Sequence, residues 1–163
     1  MTALFNEKIY DISYIERTKI FYRAQGYTSD YKWAKNSTTP IAKLVKNIAD
    51  CRIGLVTTAM PDTEAGRNSR EIYSVKCDPI PSSMYTNELA WDKGATHTED
   101  VGSFLPIAAL KKAEKEGLVG AAASSFYTVP TDYSQRNTTE LDSPRIYEHF
   151  IENKIDVAIL VPL

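Results

Sequence analysis

Cysteine and histidine are scarce in this chain, two of each in 163 residues. Cys51 and Cys77 form no C-x-x-C pair, and no secretory signal accompanies them. They read as reduced thiols of a cytoplasmic protein, or simply as small buried hydrophobes. The histidines, His97 and His149, form no H-E-x-x-H, so no metal is expected. No apolar run approaches the ~20 residues that a membrane helix needs. Met1 to Lys8 turns charged at Glu7 and Lys8 before any apolar core, unlike a secretory signal. No basic cluster is interleaved with aromatics, which argues against a nucleic-acid groove. The net charge of −2 and pI near 5.7 give no reason to expect an anionic membrane surface either. Gly-rich phosphate loops, nucleophile elbows and a Walker-type lysine are missing. So are internal repeats and low-complexity segments.

What remains is an ordinary globular composition, 43% hydrophobic and 25% charged. The length suits a single domain, read as an N-terminal helical segment over 1–50 packing on an α/β core over 51–163. Residues 9–25 alternate Ile9, Ile12, Ile15 and Ile20 with charged residues, predicting an amphipathic helix that Gly26 ends. Tyr27 to Thr39 reads as a loop, and Pro40 opens a short helix over Ile41 to Ala49. Ile53 to Thr58 is a buried strand, followed by a loop over Ala59 to Asn68. Ser69 to Lys76 is a second strand, ended by Pro79 and Pro81. Residues 86–104 read as polar and irregular. Pro106 then starts a helix over Ile107 to Glu116, stopped by Gly117. Leu118 to Ser124 reads as a small-residue strand and Ser125 to Thr139 as a loop. A helix over Pro144 to Asn153 and a buried parallel strand over Asp156 to Leu163 complete the pattern. Strand and helix alternating over 53–163 predict a three-layer α/β sandwich with a mostly parallel sheet.

In open α/β sheets, ligands bind beyond the carboxyl ends of the strands. Thr57 and Thr58 end the first strand there. Their hydroxyls either meet a carboxylate or carbonyl ligand or satisfy the loop backbone. The run Thr131-Asp-Tyr-Ser-Gln-Arg136 follows the third strand to the same rim, and Arg136 is the expected anion partner. The segment Trp91-Asp-Lys-Gly-Ala-Thr-His-Thr-Glu-Asp100 is the densest in reactive groups. Within it Asp92 and Asp100 flank His97. A carboxylate there could orient His97 as a general acid or base, or the group could hold a metal; otherwise His97 is a solvated loop histidine. His149 reads as a surface residue of its helix.

The final strand reaches Leu163 with no loop, helix or polar tail behind it. The pattern predicts a sheet incomplete at its C-terminus, cut at its own active site, with an uncovered edge and apolar face on the last strand. The alternative is an ordinary end on a central or edge strand.

Five segments recur in a familiar order: Cys51-Arg-Ile-Gly-Leu-Val-Thr-Thr, Trp91-Asp-Lys-Gly-Ala-Thr-His-Thr-Glu-Asp, Lys115-Glu-Gly-Leu-Val-Gly, Pro130-Thr-Asp-Tyr-Ser-Gln-Arg and Val157-Ala-Ile-Leu-Val-Pro-Leu163. Together they resemble the glycine/sarcosine/betaine reductase selenoprotein B family, which includes the selenocysteine subunit of D-proline reductase. The resemblance covers roughly residues 10–163 and rests on order and spacing. It implies an oxidoreductase that cleaves a C–N bond in a small amine or amino acid such as glycine, sarcosine, betaine or D-proline. A dithiol/disulfide couple supplies the electrons, and other reductase subunits are implied as partners. In the family the last strand runs into a loop carrying cysteine or selenocysteine, so the redox centre is expected just after Leu163. No other cofactor is implied, and the chain as it stands is expected to be inactive. Its Trp91-Asp-Lys segment differs from the Ser-His version of the D-proline reductase subunit, which leaves the substrate open. Two rival expectations stand beside this one: a non-catalytic binding or scaffold subunit on the same α/β fold, and a hydrolase or metal enzyme built on Asp92, His97 and Asp100.

Overall fold

The chain's computed structural model describes residues 13–30, 32, 34–40, 42–86, 98–132 and 134–163. At its centre lies β1 (Arg52–Thr57), buried at every residue except Arg52. The run Ile53-Gly-Leu-Val is apolar on both faces, which is the pattern of a strand with neighbours on each side and cover above and below. β2 (Met60–Pro61) follows almost at once, then the short helix α2 (Glu64–Asn68). The Thr63 hydroxyl caps α2 by accepting from the Gly66 amide. β3 (Tyr73–Lys76) and β4 (Met84–Tyr85) come next, and β4 pairs antiparallel with β2.

The second half supplies α3 (Ile107–Lys115), β5 (Ala121–Ala122), β6 (Ser125–Thr128), α4 (Gln135–Asn137), a π-helical turn (Thr138–Asp142), α5 (Ser143–Glu152) and β7 (Val157–Val161). β5 and β6 lie along one side of β1, both parallel to it. Between the pairs Ile53↔Ala122 and Val56↔Tyr127, β1 has two residues and the facing strand has four, so the latter is bulged. β7 runs along the other side of β1, parallel, from Ile53↔Val157 to Thr57↔Val161. β3 closes the sheet antiparallel to β6. The fold is therefore α/β with a mixed, mostly parallel sheet.

α3 sits between Pro106 and Gly117, whose φ of +72° ends the helix. Its Ile107 and Leu110 join Ile53, Leu55 and Phe126 in the buried cluster. Each such side chain contributes roughly 1.5–3 kcal/mol through burial. Residues alternating with these point to the opposite face. There the Tyr127 ring stacks on His149 of α5 at 5.2 Å and meets Phe150 edge-on at 5.6 Å. Gly54 opens the same face for Ile155, since a Cβ on residue 54 would lie 2.9 Å from the Ile155 Cδ1.

Several expectations are corrected here. The strand expected over Leu118 to Ser124 is only partly there: residues 118–120 turn, Ala121–Ala122 forms β5 beside β1, and the main strand is Ser125–Thr128, inside the expected loop. Farther along that loop, Gln135–Asn137 folds as α4, and Thr138 and Thr139 begin the π-helical turn. Among the described residues of 41–49 only a 3₁₀ turn (Ile48–Asp50) forms, and Leu44 and Val45 stay exposed. The loop after β1 contains β2 and α2, and the second strand begins at Tyr73. His149 is half-buried against Tyr127 rather than a surface residue. β7 is parallel as expected but not buried: Ile159 is 40% and Leu160 70% exposed. Among the described residues its outer edge pairs with no strand, so the expected uncovered edge is present. Cys51 and Cys77 are both free and buried.

At the N-terminal end, α1 (Tyr14–Ala24) buries Thr18, whereas Ile15, Ile20 and Phe21 remain exposed. Gln135 donates to the Lys32 carbonyl, linking the chain beyond α1 to the rim of the sheet. None of the helices described is long and apolar enough to cross a membrane.

Candidate active site at the carboxyl rim of the sheet

The three parallel strands run in the order β5/β6, β1, β7. From β1 the chain crosses to one side, and from β6 it returns to the other side of β1. The crevice between β1 and β7, at their carboxyl ends, is thus the topological switch point where such sheets bind ligands. Thr57, Thr58, Val161 and the segment to Leu163 line it.

Thr57 is 1% exposed, and its hydroxyl accepts from the Ala59 amide at 3.2 Å. The Thr58 hydroxyl accepts from the Leu163 amide at 2.8 Å and donates to the Leu163 carbonyl at 3.4 Å. Both threonines therefore sit where the sequence placed them, and in this structure both satisfy backbone. The Thr58 contact fastens the end of β7 to the end of β1.

Arg136 is turned away into a surface pair rather than toward the rim network. It lies on α4, 82% exposed, paired with Glu140 one turn on. The arginine that organises the rim is Arg70. Its Nε donates to Asp132 on the loop after β6, and its Nη2 donates to Asp142 at 2.8 Å. Asp142 is only 5% exposed. Both carboxylates raise the Arg70 pKa further. Burial pushes the Asp132 carboxyl up, but hydrogen bonds from Asn137, Arg70 and the Ser134 amide outweigh it and hold the group below the usual carboxylate range. Arg70 precedes β3, whose antiparallel direction brings its start to the carboxyl end of β6. Sequence alone does not reveal that direction, so Arg70 and Asp142 were not picked out. An open groove of about 500 Å³ adjoins this network, walled by Arg70, Glu71, Asp142, Arg145 and Glu148.

A second ion cluster stands on the segment after β1. Arg67 pairs with Asp62 and lies over the Tyr85 ring at 4.4 Å, while Ser83 donates to Asp62. Hydrogen bonds from Arg67 and Ser83 depress the Asp62 pKa. This network braces the β2–β4 pair. Asp100 is likewise structural: its carboxylate accepts from the Gly102 amide and caps a 3₁₀ turn. Asp92 and His97 lie outside the described residues. No group of three or more His, Cys, Asp or Glu among the described residues could hold a metal ion.

One rim residue was hidden by the misplaced strand. Thr128 ends β6 as the register partner of Thr57 and is fully buried, and among the described residues its hydroxyl has no hydrogen-bond partner.

No family model, curated protein or solved structure matches the chain.

Proposed function

We propose that this chain is the α/β domain of a selenoprotein B-like oxidoreductase. The observation that carries the reading is the Thr58–Leu163 contact at the β1/β7 switch point. It brings the end of β7 to the place where a parallel α/β sheet does its chemistry. In the resembled family, the residue after that strand begins the redox loop. On this reading the full-length protein carries cysteine or selenocysteine beyond Leu163 and uses no other cofactor. Such a residue supplies a selenolate or thiolate, reactive in its deprotonated form. Neither thiol in the chain suits that role. Cys51 is 0% and Cys77 5% exposed, and burial pushes the Cys77 pKa up. The substrate is a small amine or amino acid of the glycine, sarcosine, betaine or D-proline type. A dithiol donor is oxidised to its disulfide as the C–N bond is reductively cleaved. The protein works in the cytoplasm with other reductase subunits, and its helices complete a three-layer sandwich around the sheet.

The test reads the gene beyond the Leu163 codon and assays the protein from its native source. A UGA codon followed by an open frame for a Cys- and Pro-containing loop is expected. Selenium in the purified protein, and dithiothreitol-dependent release of ammonia, methylamine or trimethylamine from glycine, sarcosine or betaine, or opening of the D-proline ring, complete the expected result. A different stop codon with no such frame, no selenium and no dithiol-dependent product would overturn the reading.

The uncovered edge of β7 favours a second reading, a non-catalytic binding or scaffold subunit. Specific, stoichiometric partner binding by the 163-residue chain, without selenium or product, would select it.

A further inference from the structure

We infer that Thr128 is a ligand-binding residue, whose hydroxyl donates to a carboxylate or carbonyl oxygen of a small substrate at the carboxyl rim. Naming that substrate as an amino acid rests on the proposed function; the binding role of Thr128 does not.

The argument starts from a cost. Thr128 is 0% exposed and its Oγ1 has no partner among the described residues. A buried hydroxyl stripped of water and left unpaired lowers stability. Valine has nearly the same shape, favours strands as strongly and avoids that loss. The neighbours of Thr128 show how thoroughly this sheet otherwise satisfies such groups. Thr57, directly across in the β1 register, bonds the Ala59 amide, and Thr58 bonds Leu163. Unpaired buried polar groups in native structures call for an explanation, and sites that bind ligands are where the cost is offset.

Position supplies the second part of the argument. Thr128 is the last residue of β6, at the carboxyl end of the parallel sheet, one strand from the switch point. Register puts it on the same sheet face as Thr57, so two threonines are neighbours there on strands about 5 Å apart. Four residues later the chain reaches Asp132, held by Arg70. A small carboxylate or carbonyl compound matches this setting, its oxygen accepting from the Thr128 hydroxyl. Since Thr128 has no exposed surface, binding requires the rim segments to part around the ligand.

The test compares the 163-residue chain with Thr128→Val and Thr128→Ser, using glycine, betaine and sodium acetate as probes. Without probe, the valine variant should melt at or above the temperature of the native protein. With probe, wild type should show saturable amide shifts at Thr57, Thr128 and Val129, with slower hydrogen exchange there. The valine variant should bind at least about tenfold more weakly, as expected for loss of a hydrogen bond to a charged group, and the serine variant should bind like wild type. A valine variant that melts several degrees lower would mean that the hydroxyl already has a partner in solution, such as a buried water, and would overturn the inference. Equal binding by wild type and the valine variant, or no binding of any probe by wild type, would overturn it as well. Probe binding that depends on Thr128, in a protein without selenium or reductase product, would leave this inference standing and remove the reductase reading. Dithiol-dependent product in a Thr128→Val enzyme with unchanged KM would do the reverse.

Discussion

At the scale of single residues, two arginines of similar sequence context differ in consequence because of what lies beneath them. Arg70 neutralises Asp142, which is 5% exposed, so Arg70→Met leaves a buried carboxylate without its cation. Urea unfolding should show a loss of about 3 kcal/mol. Arg136→Ala removes only a solvated pair with Glu140 and should change stability by no more than about 0.5 kcal/mol. Asp132 gives a pH signature. Its folded-state pKa lies below the unfolded value of roughly 4, so its contribution is fully present above that value and is lost as pH falls through the folded pKa. Asp132→Asn should therefore flatten the acid side of the stability curve below about pH 4 and lower the plateau above it. Equal acid slopes in the two proteins would contradict this. Thr57 and Thr58 were legible because a strand-ending pair follows an apolar run. Arg70 was not, because its place depends on the direction of β3.

At the scale of elements, legibility followed local signals. α3 between Pro106 and Gly117, α5 with its early Pro144, and β1 as an apolar run all form where their punctuation places them. The helix expected after Pro40 had such a signal too. A single short helix, however, needs a face to bury, and Val45 there is 100% exposed. The strand after α3 was misplaced because its Gly- and Ala-rich start hides a bulge. The aromatic segment Ser125–Thr128, with stronger strand tendency, takes the central place beside β1. Close approach of elements supplies a further prediction. Gly54→Ala meets the movable end of Ile155 and should cost about 1 kcal/mol. Gly66→Ala would set a Cβ 2.1 Å from the Pro61 carbonyl oxygen, a backbone atom that cannot swing away. That variant should cost about 3 kcal/mol and loosen the β2–β4 pairing, read as faster amide exchange at Met84 and Tyr85.

At the scale of the whole molecule, the sheet is asymmetric. One side ends in the short antiparallel β3, while β7 offers five uncharged residues on an edge that is unpaired among the described residues. Leu160→Lys places a charge on that edge at a position 70% exposed in the native fold. Static light scattering should show less self-association, with the melting temperature within about a degree of wild type. Undiminished scattering would mean that association uses another surface. The pairing of β1 with β7 also sets a timetable. The Arg52 amide bonds the Asp156 carboxylate 104 residues later, and the whole β1–β7 ladder spans a similar separation. At ribosomal speeds of about 5–20 residues per second, Ile53 to Val56 leave the exit tunnel roughly 5–20 s before the β7 residues that flank them do. During synthesis the central strand of the finished sheet thus keeps one flank open after its other flank, β5 and β6, has already emerged.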